Sequence, residues 1–279
     1  MSIGRETIIS IGSGLPPAMG IFGRLRGLLD NPNTDIDDIV KLLRIDTALT
    51  FQVIKLANSA LYGIGQRCES LEEAVARVGF GEIHQIVGLV VARQAFQKEL
   101  SNYQTPGGRL WENAVAAGTL MGALAEVAGG DSRNAYSTGL LRNIGRIVLN
   151  NYPGAVKYPG EDERPNVFDW EREVHGMIAP EVSATLLDHW RFAPATVMPV
   201  RHHYKPENGG SHKMAAAQLH MACALTAEWG CALPGEGTVW RSDASVLEMA
   251  GIDENYLQGA VDLARVQFNR FAVIQWSQT

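Results

Sequence analysis

Apolar residues recur at helical spacing along almost the whole chain, and this periodicity is the feature that most restricts the possible folds. From Ile36 to Ile45 the apolar side chains fall on one helical face, and the segments 83–96, 110–128 and 256–271 repeat the pattern. Only Thr7 to Ile11 alternates in the manner of a strand, and that run is too short to indicate a sheet. The sequence therefore predicts an all-α protein.

Capping residues and glycines predict where individual helices begin and end. Thr34, Asp46 and Ser70 are placed to cap helix N-termini, because each precedes an apolar-periodic segment. Ser132 is expected to cap a helix that continues without interruption to residue 147. The run Gly79-Phe80-Gly81 is expected to form a tight corner before the next helix.

Proline and glycine cluster in Tyr103-Gln104-Thr105-Pro106-Gly107-Gly108, between two helical patterns. We take this run as the boundary between two helical subdomains. The predicted organisation is an N-terminal extension at 1–14, an N-terminal helical subdomain at 15–102, a linker at 103–108 and a C-terminal helical subdomain at 109–279.

Composition excludes several classes of protein. The net charge of −6 is modest and no basic run is present, which argues against a nucleic-acid partner. No uncharged apolar run approaches the roughly 18 residues that a membrane span requires, and no secretory signal is apparent. Cys68, Cys223 and Cys231 match no metal or redox spacing, as expected in a reducing compartment. We therefore expect a soluble cytoplasmic protein with no cofactor and no membrane partner.

Four segments carry residues with chemical potential. The run Leu140–Arg146 combines polar residues with a close-packing glycine, and Arg201-His202-His203 contains adjacent histidines that point about 100° apart. Glu171 and His175 stand at i, i+4, a spacing that suits a metal ligand pair and equally a hydrogen-bonded pair. Asn58–Gly63 suits a helix end in which side chains bond nearby backbone. For each segment a purely structural role remains open.

In order and spacing these segments resemble the HDOD family, the HD-related output domains of bacterial signalling proteins. The resemblance rests on several short motifs distributed along the chain. They are Leu15-Pro16-Pro17, Leu28–Pro32, Ile45–Thr50, Leu56–Gly63, Ser70–Gly79, Leu110-Trp111, Gly139–Gly145, Leu186–Trp190 and Arg201–His203. The resemblance implies an all-α fold whose C-terminal subdomain is a helical bundle related to HD-type metal phosphohydrolases.

The resemblance also implies where a catalytic relative would hold its metal. In HD hydrolases a histidine, a His-Asp doublet and a later aspartate are the ligands, and here Asn113, Arg142-Asn143 and Cys223 fall on those positions. A guanidinium stays protonated near neutrality and repels a metal ion. We therefore expect no bound metal and no catalytic residues.

The degenerate pocket implied by the resemblance contains Asn113, Arg142, Asn143, Arg146, Glu173, His175, His202, His203 and Cys223. Arg142 and Arg146 are four residues apart, so on an unbroken helix they share a face and suit an anionic ligand. Pairing of Arg142 with a carboxylate such as Glu173 is the alternative.

The expected function is signal transduction, either by binding proteins such as a sensor kinase or regulator, or by sensing an anionic small molecule. Residual metal-dependent phosphodiesterase activity is the enzymatic alternative. Many such domains follow a receiver domain, which is either missing from this sequence or supplied in trans. In the second case phosphorylation input is expected from a separate protein, and a stand-alone regulator is the alternative.

Overall fold

The computed structural model describes residues 2–59, 61–63 and 66–272. Within them the regular structure is helical, apart from one isolated bridge between Leu100 and Thr105. The α-helices are α1 Arg5–Gly12, α2 Ala18–Leu29, α3 Ile36–Leu43, α4 Thr47–Ala57, α5 Leu71–Ala95, α6 Gly107–Val127, α7 Ser132–Leu141, α8 Ile144–Asn150, α9 Val167–His175, α10 Ala179–His189, α11 Pro194–His202, α12 Lys213–Glu228, α13 Ala244–Ala250 and α14 Glu254–Ala272. The predicted all-α fold is confirmed. Ala60 of the Asn58–Gly63 motif and residues 273–279 of the predicted C-terminal subdomain lie outside the described residues.

Several predicted helix ends are confirmed at the level of single hydrogen bonds. The Asp46 carboxylate accepts from the Leu49 amide at 2.8 Å, and the Ser70 hydroxyl accepts from the Glu73 amide at 3.1 Å. The predicted corner lies at Gly79, whose φ of 78° and ψ of 169° interrupt α5. A left-handed φ of this kind favours glycine because it has no Cβ.

Other predictions of local structure are wrong. The N-cap of α3 is Asp35 rather than Thr34, and that of α7 is Asp131 rather than Ser132. The helix predicted to run from 132 to 147 is broken, because Arg142 and Asn143 lie between α7 and α8. Helices α2 and α13 were not predicted.

The C-terminal helices pack around α6, which contacts α7, α12 and α14. Helix α10 packs against α8 and α11, and α1 returns the N-terminus onto α10. In the N-terminal half, α2, α3 and α4 pack against α5, which also contacts α6 and α7. The division at 103–108 stays a prediction. This packing directs the α7–α8 break towards the middle of the C-terminal helices.

Helix α5 is long and apolar enough to cross a membrane by length and composition alone. Its segment from Ile83 to Ala92 is mostly buried against neighbouring helices, and Gly79 interrupts its helical geometry. The core helix of a folded domain passes the same length test, and we assign α5 that role. The cytoplasmic location stays a prediction.

Candidate functional site: a buried charge cluster

The break between α7 and α8 is held against α10 by close packing and two hydrogen bonds. A Cβ on Gly145 would lie 2.2 Å from the Ala179 carbonyl oxygen, so only glycine permits this approach. The Ser183 hydroxyl donates to the Arg142 carbonyl at 2.7 Å and accepts from the Gly145 amide at 2.8 Å. Two backbone groups at the break, the Arg142 carbonyl and the Gly145 amide, are thereby satisfied, and the side chains of Arg142 and Asn143 are buried.

Arg142 is almost fully buried and its guanidinium is bound on two sides. Nη1 and Nη2 donate to the two carboxylate oxygens of Glu236 at 3.3 and 3.0 Å, and Nη2 also donates to Oδ1 of Asn113 at 2.7 Å. Asn143 donates to the same Asn113 oxygen at 2.9 Å. Asn113 in turn donates to the Cys231 carbonyl at 2.8 Å. These side chains form one closed network.

Glu236 is the anion at the centre of this network. Besides Arg142 it accepts from the indole of Trp240 at 2.9 Å, and one of its oxygens lies 2.7 Å from Nη2 of Arg146. Burial alone would raise the pKa of Glu236, but the two guanidinium groups and the hydrogen bonds from Arg142 and Trp240 lower it to about 2. A carboxylate held in this way stays ionised at every physiological pH.

Arg146 is buried but poorly hydrogen-bonded. Its contact with Glu236 lacks hydrogen-bond angles, and none of its three guanidinium nitrogens donates a hydrogen bond to a described residue. The rings of Tyr103 and Phe168 lie 5.4 and 5.7 Å from the guanidinium carbon, at cation–π distance. Aromatic faces therefore replace part of the lost hydration of this cation.

Glu171 is the second buried carboxylate of the cluster. It accepts from the Tyr103 hydroxyl at 2.9 Å and from the Ala179 amide at 2.6 Å, while Nε of Arg146 lies 3.9 Å away. Burial raises the pKa of Glu171 to about 7, because the distant arginine and the two hydrogen bonds offset only part of the desolvation. Arg142, Arg146, Glu171 and Glu236 form the group that we call the charge cluster.

Cys223 borders the charge cluster on α12. Burial raises the pKa of its thiol to about 12, so it is a neutral, unreactive neighbour of Arg142. A cavity of about 190 Å³ lies beside it, and the wall includes Glu236, Trp240 and Glu228. The cavity that leads to the charge cluster is therefore lined by two carboxylates and an aromatic ring.

Of the nine predicted pocket residues, the structure brings together Asn113, Arg142, Asn143, Arg146 and Cys223. His203 is adjacent: its ring stacks on Trp240 with centroids 5.2 Å apart, and burial together with Arg142 lowers its pKa to about 3. The charge cluster thus has a neutral histidine at its edge.

Three predicted pocket residues lie elsewhere. The prediction that Glu173 pairs with Arg142 is wrong: Glu173 is exposed and binds Arg164 at 2.9 Å, since the partner of Arg142 comes from a distant loop. His202 is only half-buried, whereas its neighbour His203 is buried. His175 is enclosed by Tyr152 and Trp170, with both ring nitrogens unpartnered among the described residues. Glu171 and His175 therefore share no hydrogen bond.

Glu236, Trp240 and Tyr103 are members of the site that the sequence did not predict. Glu236 and Trp240 follow a glycine-interrupted segment with little helical pattern, and Tyr103 lies in the predicted linker. The one sequence signal for such partners is the pair of arginines, Arg142 and Arg146, within an apolar segment. Buried charges need charged or hydrogen-bonding partners, so acidic residues had to lie somewhere else in the chain.

The residues at the metal positions of HD hydrolases do not fit a metal ion. The Asn113 oxygen already accepts two hydrogen bonds, Arg142 contributes a fixed positive charge, and the Cys223 thiol is neutral. Within residues 2–59, 61–63 and 66–272, no three His, Cys, Asp or Glu side chains are grouped as a metal site would require.

Comparison with known proteins places these features in context. The profile of the HDOD domain matches residues 15–206. A curated uncharacterised protein of Treponema pallidum is 29% identical over 184 residues, which are 63% of this chain and 35% of that protein. This chain thus spans little more than a third of that relative.

Solved structures with the same fold include two that match over nearly their whole length. A candidate phosphohydrolase from Shewanella amazonensis has a TM-score of 0.68 at 22% identity, with 95% of this chain and 96% of that chain covered. An HDOD domain protein of unknown function from Geobacter sulfurreducens has a TM-score of 0.66 at 21% identity, with 96% of each chain covered. A candidate signal transduction protein from Marinobacter aquaeolei has a TM-score of 0.68 at 23% identity, with 92% of this chain and 58% of that chain covered. At these identities the likeness establishes the fold, an HD-phosphohydrolase-like arrangement of helices.

Proposed function

This chain belongs to the HDOD family, and from that premise we propose that it is a non-catalytic signal-transduction module that acts by binding other proteins. The observation that carries the proposal is the closed network of Asn113, Arg142, Asn143 and Glu236. Hydrolysis by an HD-type site needs open donor atoms that hold a metal ion and an activated water. In this chain the corresponding positions are occupied by side chains that bind one another.

Charge balance supports the same conclusion. Two guanidinium groups face two carboxylates, so the charge cluster is neutral when both acids are ionised. A divalent cation bound among these side chains would be repelled by Arg142 and Arg146, because charges are poorly screened in a buried volume. The cluster stabilises the packed helices, and the outer helix faces remain available for partners.

Sensing of an anionic ligand has less support. An anion that enters through the neighbouring cavity meets Glu228 and Glu236, and it must displace Glu236 to reach Arg142. The unsatisfied nitrogens of Arg146 are the observation in its favour. Ligand sensing therefore remains the second candidate, below protein binding.

A hydrolysis assay tests the non-catalytic part of the proposal. The purified chain is incubated with chromogenic phosphomonoesters and phosphodiesters, with Mn²⁺ or Mg²⁺ added. We expect no turnover above the metal-only background. Turnover that scales with protein and disappears in both Asn113→Ala and Cys223→Ala would contradict the proposal.

Reciprocal capture tests the binding part. The tagged chain and a tagged candidate kinase or regulator are each used to recover the other from cells of the source organism. We expect a stoichiometric complex with a signalling protein that persists in a Glu173→Gln variant, which leaves the charge cluster intact. Recovery of no signalling protein in either direction would count against protein binding.

A further inference from the structure

A groove of about 210 Å³ lies between helices α5, α6, α7 and α14. Every lining residue that the structure describes lies outside the charge cluster. Gln267 on α14 donates to the side-chain oxygen of Gln85 on α5 at 2.8 Å, and both residues line the groove. This bond joins two of the four helices within the wall, so the groove is a formed feature of the fold.

Two arginines line the groove without forming an ion pair. Arg133, in the first turn of α7, and Arg270, in the last turn of α14, are both exposed. Within residues 2–59, 61–63 and 66–272, neither guanidinium group has a hydrogen-bond or ion-pair partner. The acid closest to Arg133 in sequence, Asp131, caps α7 and pairs with Arg26. Both cations are therefore open to a ligand.

The buried ring of His84 forms another part of the wall. It stacks on Phe22, and its Nε2 lies 3.1 Å from the Ser137 hydroxyl, whereas Nδ1 has no hydrogen-bond partner among the described residues. Burial, together with Arg26 and Arg133, lowers the pKa of His84 to about 3, so the ring is neutral. In either neutral tautomer one buried polar atom of the wall stays unsatisfied, which packing alone does not explain.

Apolar side chains complete the binding surface. Leu263 and Val266 line the groove and are 56% and 61% exposed, while Ala123 and Tyr136 lie on the α6 and α7 sides. A ligand that covers these side chains removes apolar surface from water, which is favourable. The groove therefore suits an amphipathic molecule that has an apolar body and an acidic head group.

Size and charge restrict the class of ligand. The volume lies below the range of about 300 to 1,000 Å³ that is usual for drug-sized ligands, which favours a small metabolite over a dinucleotide. Glu126 is the acid among the described lining residues, so two arginines, one glutamate and a neutral His84 leave one net positive charge. A carboxylate balances that charge, whereas a phosphate monoester carries about −1.5 to −2 at neutral pH.

We propose that the groove between α5, α6, α7 and α14 binds a small organic carboxylate, whose head group is held by Arg133 and Arg270 and whose apolar body covers Leu263 and Val266. A guanidinium group suits this role because its planar fork of N–H donors matches the two oxygens of a carboxylate. The groove and the charge cluster share no described residue, so binding here does not depend on whether the charge cluster is catalytic.

Calorimetry on the full chain tests the site with four ligands that share one apolar body: hexanoate, hexanol, hexylamine and hexyl phosphate. We expect hexanoate to bind with a dissociation constant of about 1 mM or below. Hexanol and hexylamine should bind at least about tenfold more weakly, because neither offers a negative charge to the guanidinium groups. Equal affinities for hexanoate and hexanol, or no hexanoate binding up to about 10 mM, would overturn the proposal. Tighter binding of hexyl phosphate than of hexanoate would overturn the assignment to a carboxylate.

Substitution of each lining arginine tests the position of the head group. Arg133→Gln and Arg270→Gln are each expected to raise the dissociation constant of hexanoate by about tenfold, since each removes a charge but keeps a polar side chain. Arg265→Gln is the matched control, because Arg265 is exposed on the same helix but lies over Trp229, 4.8 Å from the ring centroid. An effect of Arg265→Gln equal to that of Arg270→Gln would overturn the proposal, since the net charge of the protein would then explain both.

Histidine resonances in NMR spectra locate the ligand without a change in charge. Added hexanoate is expected to shift the ring signals of His84, which lines the groove, and to leave those of the exposed His189 on α10 in place. The spectrum of His84→Gln assigns the His84 signals. Hexanoate that binds in calorimetry but leaves the His84 signals unshifted would lie elsewhere on the protein, and this result would also overturn the proposal.

Discussion

Replacing Glu236 by glutamine removes the carboxylate that lies between two buried guanidinium groups. Arg142 and Arg146 would then share only Glu171, whose nearest oxygen is 3.9 Å from Arg146 and whose pKa is raised to about 7 by burial. Breaking a buried ion pair by removing one partner costs about 3 to 5 kcal/mol, because the remaining charge is left uncompensated. We expect Glu236→Gln to lower the free energy of unfolding by that amount.

The assay is urea unfolding at neutral pH, followed by circular dichroism and by tryptophan fluorescence. With a denaturant dependence of about 3 kcal/mol per molar urea, the midpoint should fall by about 1 to 1.7 M. Glu173→Gln is the control, since it also removes one carboxylate from an ion pair, but Glu173 is 61% and its partner Arg164 48% exposed. Surface pairs of this kind contribute about 0 to 1 kcal/mol.

A second substitution separates charge imbalance from lost packing. In the Glu236→Gln background, Arg142→Met removes one of the uncompensated cations and should recover about 1 to 3 kcal/mol. If Glu236→Gln and Glu173→Gln reduced stability by amounts within about 1 kcal/mol of each other, the charge cluster would not have the role described above.

Three further outcomes are expected. The pKa of Glu171 is raised from 4.5 to about 7 in the folded protein, so its contribution to the free energy of unfolding is complete at low pH and is lost as pH rises from about 4.5 to 7. Urea titrations at these two pH values should show the stability of wild type, relative to Glu171→Gln, fall by about 3 kcal/mol. The pKa of His203 is lowered from 6.5 to about 3, so the protein loses stability as pH falls below about 6.5. His203→Phe lacks the bond to the Val200 carbonyl and should be about 1 kcal/mol less stable than wild type at neutral pH, but the more stable of the two below about pH 5. A difference between the urea midpoints of the two proteins that is the same at neutral pH and below pH 5 would contradict this. Gly145→Ala should lower the free energy of unfolding, measured by thermal denaturation, by about 3 kcal/mol, because its Cβ would lie 2.2 Å from a backbone oxygen. Gly20→Ala is the control: its Cβ would have nothing within 4 Å, so the change should be neutral or stabilising by up to about 1 kcal/mol.

The sequence predicted those features of the fold that local chemistry determines. Asp46 and Ser70 cap helices because their side chains reach an amide three residues ahead, and Gly79 forms a corner because its φ is left-handed. All three depend on neighbours within one turn of chain. The same local rules place the cap of α3 one residue early, at Thr34, because Asp35 is an equally good acceptor.

The charge cluster depends on contacts that no local pattern reveals. Glu236 binds Arg142 across 94 residues, and Tyr103 binds Glu171 across 68. Resemblance identified Asn113, Arg142, Asn143 and Cys223 as neighbours, and the structure brings them together. It did not identify the break after α7, because Gly145 permits close packing whether or not the helix is continuous. The predicted acidic partner of Arg142, Glu173, lies on α9, whereas the observed partner, Glu236, lies on the loop after α12.

Protein synthesis delivers the parts of the charge cluster in a fixed order. Arg142 and Arg146 leave the ribosome long before Glu236, and residues 15–206, which the family profile matches, already contain both arginines but not this partner. Until residue 236 emerges, closing α7 and α8 over the core would bury two cations against a single carboxylate. Domains otherwise begin to fold from the N-terminus as they are made. Here the last step of packing has to wait for the C-terminal quarter of the chain, and a fragment that ends at residue 206 should remain open at its centre.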